Sequence, residues 1–244
     1  MKRILLNLLS VGFIGAAAFG ATQAFFSDTE ISRNNILHAG KLDLKIDNTS
    51  YLNHATSSAT TWTPKDLTPT DFFFNFTDLK PGDEGEDTIS IRVDDNDAWA
   101  CMDMTLTHDD DIDCTEPEKF DDPTCNDPDG DLFDGELGGL LNFLFWTDDG
   151  DNVFETDEPI VASGSAKSVL DTDIVLADAG ANNVGGNVGD PLTGTKTYYI
   201  AKAWCFGTLT PDPVAADSGI SPIVDSGVDC DGSLLDNASQ TDAV

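Results

Sequence analysis

The sequence predicts an all-β fold of the β-sandwich type, and three observations predict it. Short alternating or apolar runs recur between clusters of Gly, Pro, Asn and Asp, which is the spacing of strands and turns. Helical periodicity is nearly absent. The acidic residues are also lopsided: of 45, 37 are Asp and 8 are Glu, and Asp favours turns where Glu favours helices.

The strands are read in chain order. Lys41 to Asp47 alternates cleanly, which predicts Leu42, Leu44 and Ile46 on one buried face. Phe72-Phe73-Phe74-Asn75-Phe76 is aromatic on both faces and reads as a strand buried on each side. Thr88 to Val93 alternates again, with Ile89, Ile91 and Val93 inward. Trp99 to Leu106 is a further strand, with Met102, Met104 and Leu106 on one side. Leu140 to Trp146 opens with a helical turn and ends in a strand. Pro159 to Ala162 and Lys196 to Phe206 complete the set. Trp99, Trp146 and Trp204 all fall in these strands and are expected in the core. Residues 107–135, 178–195 and 207–233 read as long loops, the last because Pro211, Pro213 and Pro222 would interrupt a ladder.

The N-terminus has the layout of a secretory signal peptide. Met1-Lys2-Arg3 is basic, Ile4 to Gly20 is apolar apart from Asn7 and Ser10, and Thr22-Gln23-Ala24 ends in small residues. Cleavage between Ala24 and Phe25 is expected, so that residues 1–24 form a cleavable signal helix and no stable membrane span is left afterwards. A retained anchor is the competing reading, since the apolar stretch approaches the roughly 18–20 residues that cross a bilayer. The formal net charge of −33 excludes nucleic acid and anionic lipid as partners. The five cysteines (Cys101, Cys114, Cys125, Cys205, Cys230) all lie in the exported part, where disulfides are expected. Cys114 and Cys125 bracket an Asp/Pro loop and are candidate partners; the remaining connectivity is open, and the odd count leaves one thiol over.

Beyond the leader, Ala24-Phe25-Phe26-Ser27-Asp28-Thr29-Glu30 is followed by Asn35-Ile36-Leu37-His38-Ala39-Gly40-Lys41-Leu42-Asp43-Leu44, then by Leu79-Lys80-Pro81-Gly82-Asp83. This ordered set resembles the camelysin/TasA family of exported biofilm-matrix proteins. Phe145 to Phe154, Ala162 to Ser165, Ala203 to Gly207 and Cys230-Asp231-Gly232 resemble a more acidic branch of it. The resemblance implies a jelly-roll β-sandwich with long acidic loops over residues 41–244, and export by a specialised signal peptidase. It also implies a secreted matrix or pilus-like filament, a head-to-tail homopolymer in which the N-terminal segment, residues 25–40, leaves its own domain and adds a strand to the next copy. Phe25, Phe26, Ile31, Ile36 and Leu37 would be the anchors. The alternative is that this segment folds as the first strand of its own domain. Relatives in this branch continue past Cys-Asp-Gly into a final apolar strand ending in cysteine, which is not found here. A shortened chain and a groove filled by a partner are both readings of that departure.

Two Asp-rich loops are candidate calcium sites, because hard cations want several carboxylate, amide and carbonyl oxygens and Gly lets a loop close around them. The first holds Asp127, Asp129, Asp131, Asp134 and Glu136; the second holds Asp148, Asp149, Asp151, Glu155 and Glu158. Neither matches an EF-hand, since position twelve from Asp127 is Gly138. Solvated Asp-Gly turns and adaptation to salt are the competing readings. A catalytic centre is not expected: His38, His54 and His108 are scattered and form no H-E-x-x-H. A fibre subunit is therefore the leading expectation, followed by a monomeric calcium-binding adhesion module and then by a camelysin-like secreted metallopeptidase.

Overall fold

The computed structural model describes residues 42–125 and 131–244, which fall in one compact unit, Gly40–Val244. The expected signal peptide, its Ala24/Phe25 cleavage site and the anchors Phe25, Phe26, Ile31, Ile36 and Leu37 lie outside the described residues, as do Asp127 and Asp129.

Thirteen strands are described: β1 (Asp43–Leu52), β2 (Ala55–Thr56), β3 (Trp62–Lys65), β4 (Glu84–Asp94), β5 (Ala100–Met104), β6 (Asp110–Asp111), β7 (Leu141–Asp148), β8 (Ile160–Ser165), β9 (Thr172–Ala177), β10 (Thr197–Phe206), β11 (Thr208–Pro211), β12 (Val228–Asp231) and β13 (Asp242–Ala243). Three four-residue helices accompany them: α1 (Glu118–Asp121), α2 (Leu137–Leu140) and α3 (Ala166–Val169). The main sheet runs β2-β1-β4-β10-β7-β8, with β3 also on β1, and every ladder among the named strands is antiparallel. Smaller sheets pair β5 with β9, β11 with β12 and β13 with β6. The fold is all-β, and two-sided burial of the main sheet is consistent with a sandwich.

Period-two patterning explains both faces. On one face Ile89, Ile91 and Val93 of β4 meet Tyr198 and Ile200 of β10 and Phe143 and Phe145 of β7. The β5–β9 pair packs over them through Met102, Met104, Ile174 and Leu176. The opposite face, Leu144, Trp146, Ala201 and Ala203, is covered by Phe154, Val228 and Leu209. The β1–β2 turn has positive φ at both Asn53 (46°) and His54 (59°), the two-residue geometry that fits the twist of a hairpin. Asn53 is suited to that conformation, and its side chain ties the turn to Asp83 and to the Glu84 N–H, each at 2.9 Å.

The structure departs from the sequence reading at several places, among them β3 and β9, which the reading did not expect, and β6 and α1 within residues 107–135, which it took as loop. Leu42 and Leu44 are exposed, and of that expected face only Ile46 packs on the core. Trp99 is 55 % exposed, whereas Trp146 and Trp204 are core residues. Residues 207–233 are not all loop: β11 and β12 form a ribbon there, fastened to β10 by the Cys205–Cys230 disulfide. Pro211 is tolerated because it ends β11 and needs no further ladder bond. The aromatic run 72–76 forms no strand. It crosses the sheet, with Phe76 on Trp204 (5.4 Å between ring centroids) and Phe74 on Phe143 (6.0 Å).

That crossing covers a buried ion pair. Lys202 and Asp87 face each other across the β10–β4 ladder, with Nζ to Oδ2 at 2.9 Å and both side chains nearly inaccessible. The Phe73 and Phe74 rings cap the ammonium at 4.7 and 4.9 Å, a cation–π arrangement strengthened by desolvation. Burial pushes the Asp87 carboxyl up to about 6, against the opposing pull of Lys202. Asp87→Asn strands the ammonium and is expected to cost about 3–5 kcal/mol, read as a lower urea midpoint at unchanged m-value. Asp87→Leu combined with Lys202→Met should recover most of that loss, because an apolar pair of similar volume is near neutral.

Candidate metal centres

The first centre is assembled by the C-terminal residues. β13 pairs with β6 so that Asp242 stands opposite Asp111. Helix α1 lies inside the loop closed by the Cys114–Cys125 disulfide. Its fully buried Glu118 accepts hydrogen bonds from the N–H groups of Thr115 (3.0 Å) and Thr241 (2.8 Å) and from the Thr241 hydroxyl. Asp242 Oδ2 accepts from the N–H groups of Glu136 (2.6 Å) and Leu137 (2.9 Å), serving the donors that helix α2 leaves open at its start. Asp109 accepts from the Gly138 N–H at 2.7 Å and is ion-paired to Lys167 at 2.7 Å. Glycine is required at 138, since a Cβ there would stand 2.6 Å from Asp109 Oδ2.

Within this frame one carboxylate oxygen from each of Asp111, Asp122 and Glu136 lies within 4.8 Å of the other two. Asp122 Oδ2 and Glu136 Oε2 are buried and accept no hydrogen bond, while Asp111 and Asp242 hydrogen-bond each other through their carboxyls. Burial first, and then Asp242, Asp122 and Asp134, push the Asp111 carboxyl up to about 7. Burial, Asp122 and Asp111 likewise push Glu136 up to about 7, with Lys167 acting the other way.

The second centre gathers Asp148, Asp149 and Glu158, again with one oxygen each within 4.8 Å. It sits on the β7–β8 connection, whose turn has positive φ at Gly150 (112°) and Asn152 (70°). Here more of the oxygens are already engaged. Glu158 accepts from the N–H groups of Asp149 (3.0 Å) and Glu155 (2.9 Å), and Asp148 Oδ2 from the Thr88 hydroxyl (2.7 Å) and the Gly150 N–H (3.1 Å). Burial pushes Glu158 up to about 8 and Asp148 up to about 6.

The sequence-derived ligand sets are thus only partly brought together. From the second loop Asp148, Asp149 and Glu158 converge. Asp151 instead accepts the Val153 N–H (3.0 Å), and buried Glu155 accepts from the Asp217 and Ser218 N–H groups (2.9 and 3.2 Å). From the first loop Glu136 enters the cluster and Asp134 acts on Asp111 electrostatically, while Asp131 accepts the Phe133 N–H at 3.2 Å. Sequence reasoning missed Asp111, Asp122 and Asp242. The Asp109-Asp110-Asp111 run was a visible signal for the first; nothing local marked the other two. The cysteines pair as Cys114–Cys125 and Cys205–Cys230, which leaves Cys101 as the exposed free thiol. His54 Nε2 lies 2.8 Å from Glu84 and His108 Nδ1 3.1 Å from the Thr107 hydroxyl, while His38 is outside the described residues. Compared with protein-family models, with curated proteins and with solved structures, the chain matches none.

One buried acid near the second centre sets a pH dependence. Glu86 sits in a small cavity beside Glu84 and Ser226. Burial pushes its carboxyl up to about 8, Ser226 pulls it back, and Glu84, Asp87 and Asp148 raise it further. The folded chain therefore holds a proton there that the unfolded chain has released, starting from an ordinary value of 4.5. Stability is fullest below that value and falls as pH rises through about 8. In chelator, Glu86→Gln should raise the melting temperature at pH 8.5 by roughly 2–4 °C for each ~1 kcal/mol of relief. It should leave the value at pH 4 nearly unchanged, and paired thermal melts check both.

Proposed function

We propose that this chain is an exported structural subunit of an extracellular filament, a jelly-roll domain that accepts the N-terminal segment of a neighbouring copy. The observation that carries the reading is a groove of about 430 Å³ on the domain. Phe74, Phe76, Leu79, Leu141, Trp204 and Phe206 give it an apolar side, and Asn75, Thr77, Asp78, Ser239, Gln240 and Asp242 a polar one. Such a groove suits alternate apolar side chains of an added strand, with specificity read from the pockets. The edge strand β8, which pairs with β7 alone among the described strands, offers backbone donors and acceptors that an extended segment satisfies. Residues 25–36 carry Phe25, Phe26, Ile31 and Ile36 at spacings an extended strand can present. The sequence resemblance to exported matrix proteins and the two disulfides support an extracellular setting. No helix of the described residues is long and apolar enough to cross a membrane.

Deletion of residues 25–36 should leave a folded monomer by circular dichroism that forms no filaments in negative-stain electron microscopy. Unchanged filaments from that variant would refute strand donation. Dispersed particles from both the parent and the variant would favour a second reading, a monomeric surface adhesion module, which the carboxylate clusters support.

A further inference from the structure

We propose that Asp111, Asp122 and Glu136 form a calcium site that fastens strand β6, and with it the paired strand β13, to the disulfide-closed loop 114–125. This inference is independent of the filament reading. Its first ground is geometry: the three carboxylates come from β6, the residue after α1 and the residue before α2, and they converge by tertiary folding. They place oxygens within 4.8 Å of one another, the span that one ion reaches at about 2.3–2.6 Å from each.

The second ground points to a ligand directly. Asp122 is only 6 % exposed. Its Oδ1 is used, accepting from the Thr124 N–H (2.9 Å) and hydroxyl (2.6 Å), while its Oδ2 is buried and accepts nothing. A buried carboxylate oxygen without a donor is costly, and charge makes it more so. Glu136 Oε2 is likewise buried and accepts nothing, while Asp111 and Asp242 share a side-chain hydrogen bond with each other. The ammonium that acts on Glu136, Lys167, is already bound to Asp109 and to the Gly135 carbonyl. A divalent cation supplies the missing positive charge and takes up one oxygen from each of Asp111, Asp122 and Glu136.

The donor set chooses the ion. The ligands are carboxylates without nitrogen or sulfur, which suits calcium, magnesium or manganese rather than zinc or copper. Magnesium demands a near-ideal small octahedron and keeps its waters, whereas calcium accepts irregular oxygen sets drawn from several segments. The Asp148 centre is the weaker competitor, because both Glu158 oxygens and Asp148 Oδ2 already accept hydrogen bonds.

The test uses the full chain, stripped with chelator and titrated with calcium or magnesium chloride in 0.15 M salt, followed by melting and by calorimetry. Calcium at about a hundredfold over its dissociation constant should raise the melting temperature by roughly 5–10 °C. Magnesium at the same concentration should do much less. Glu136→Gln and Asp122→Asn should each weaken calcium binding at least tenfold without lowering the metal-free melting temperature, since each removes a like charge. Asp149→Asn, in the other centre, should leave the calcium response intact. Absence of a calcium response, an equal response to magnesium, or a response kept in Glu136→Gln but lost in Asp149→Asn would each overturn the site. Should Asp122→Asn fail to fold, Glu136→Gln decides the matter alone.

Discussion

Between β4 and β10, at the middle of the main sheet, a carboxylate and an ammonium are shut in together, and closure of the central strands depends on that match. Asp87 and Lys202 lie on the face that also carries Ile89, Ile91 and Ile200, so their register is bound to the register of the apolar pattern. A slip of one residue would turn the apolar set outward and separate the charges as well. The two demands reinforce each other, which is the kind of agreement between levels that specifies one pairing. The aromatic run 72–76 then has a defined place. Its rings lie over the ammonium and on Trp204 and Phe143, and the segment gains more from that than from joining a ladder.

The same constraint, answering each buried carboxylate, organises the chain outside the sheet. With 45 acids against 12 lysines and arginines, ammonium groups cannot serve them all. Asp109 receives Lys167; Glu118 and Glu155 are answered by N–H groups and hydroxyls of segments far away in sequence. Those hydrogen bonds do what apolar packing does elsewhere. The described residues of 107–137 rely on them, for Phe120 is 86 % exposed and Leu132 and Phe133 also face solvent. The Cys114–Cys125 bond, Glu118 and Asp242 tie these segments together.

What was legible in the sequence was local. The alternation at Thr88 to Val93 names its own inward residues, Asp148, Asp149 and Glu158 of the second loop converge across one connection while Asp151 and Glu155 do not, and the Cys114–Cys125 span is short enough to suggest itself. Alternation at Lys41 to Asp47 named a face but not what would cover it, and Leu42 and Leu44 came out exposed. Phe72 to Phe76 had no preferred face, so composition alone argued for burial and was silent on hydrogen bonding. The first centre was the least legible, since Asp111 and Asp242 meet only because β6 pairs with β13.

The groove and the first centre share a wall. Asp242 reaches α2 through its Oδ2 and hydrogen-bonds Asp111 of the cluster, while Asp242, Ala243 and Val244 border the groove. Leu137, at the start of α2, lines the groove from the other side of the same hydrogen bond. Asp242 is held by the Glu136 and Leu137 N–H groups and Thr241 beside it by Glu118, so the wall of the groove and the frame of the cluster are tied to the same two residues. On the two proposals above, a cation on the cluster would hold this wall before a strand entered the groove, and an incoming strand would not have to order it as well. Cation binding and strand acceptance would then be linked through β13, with positive coupling.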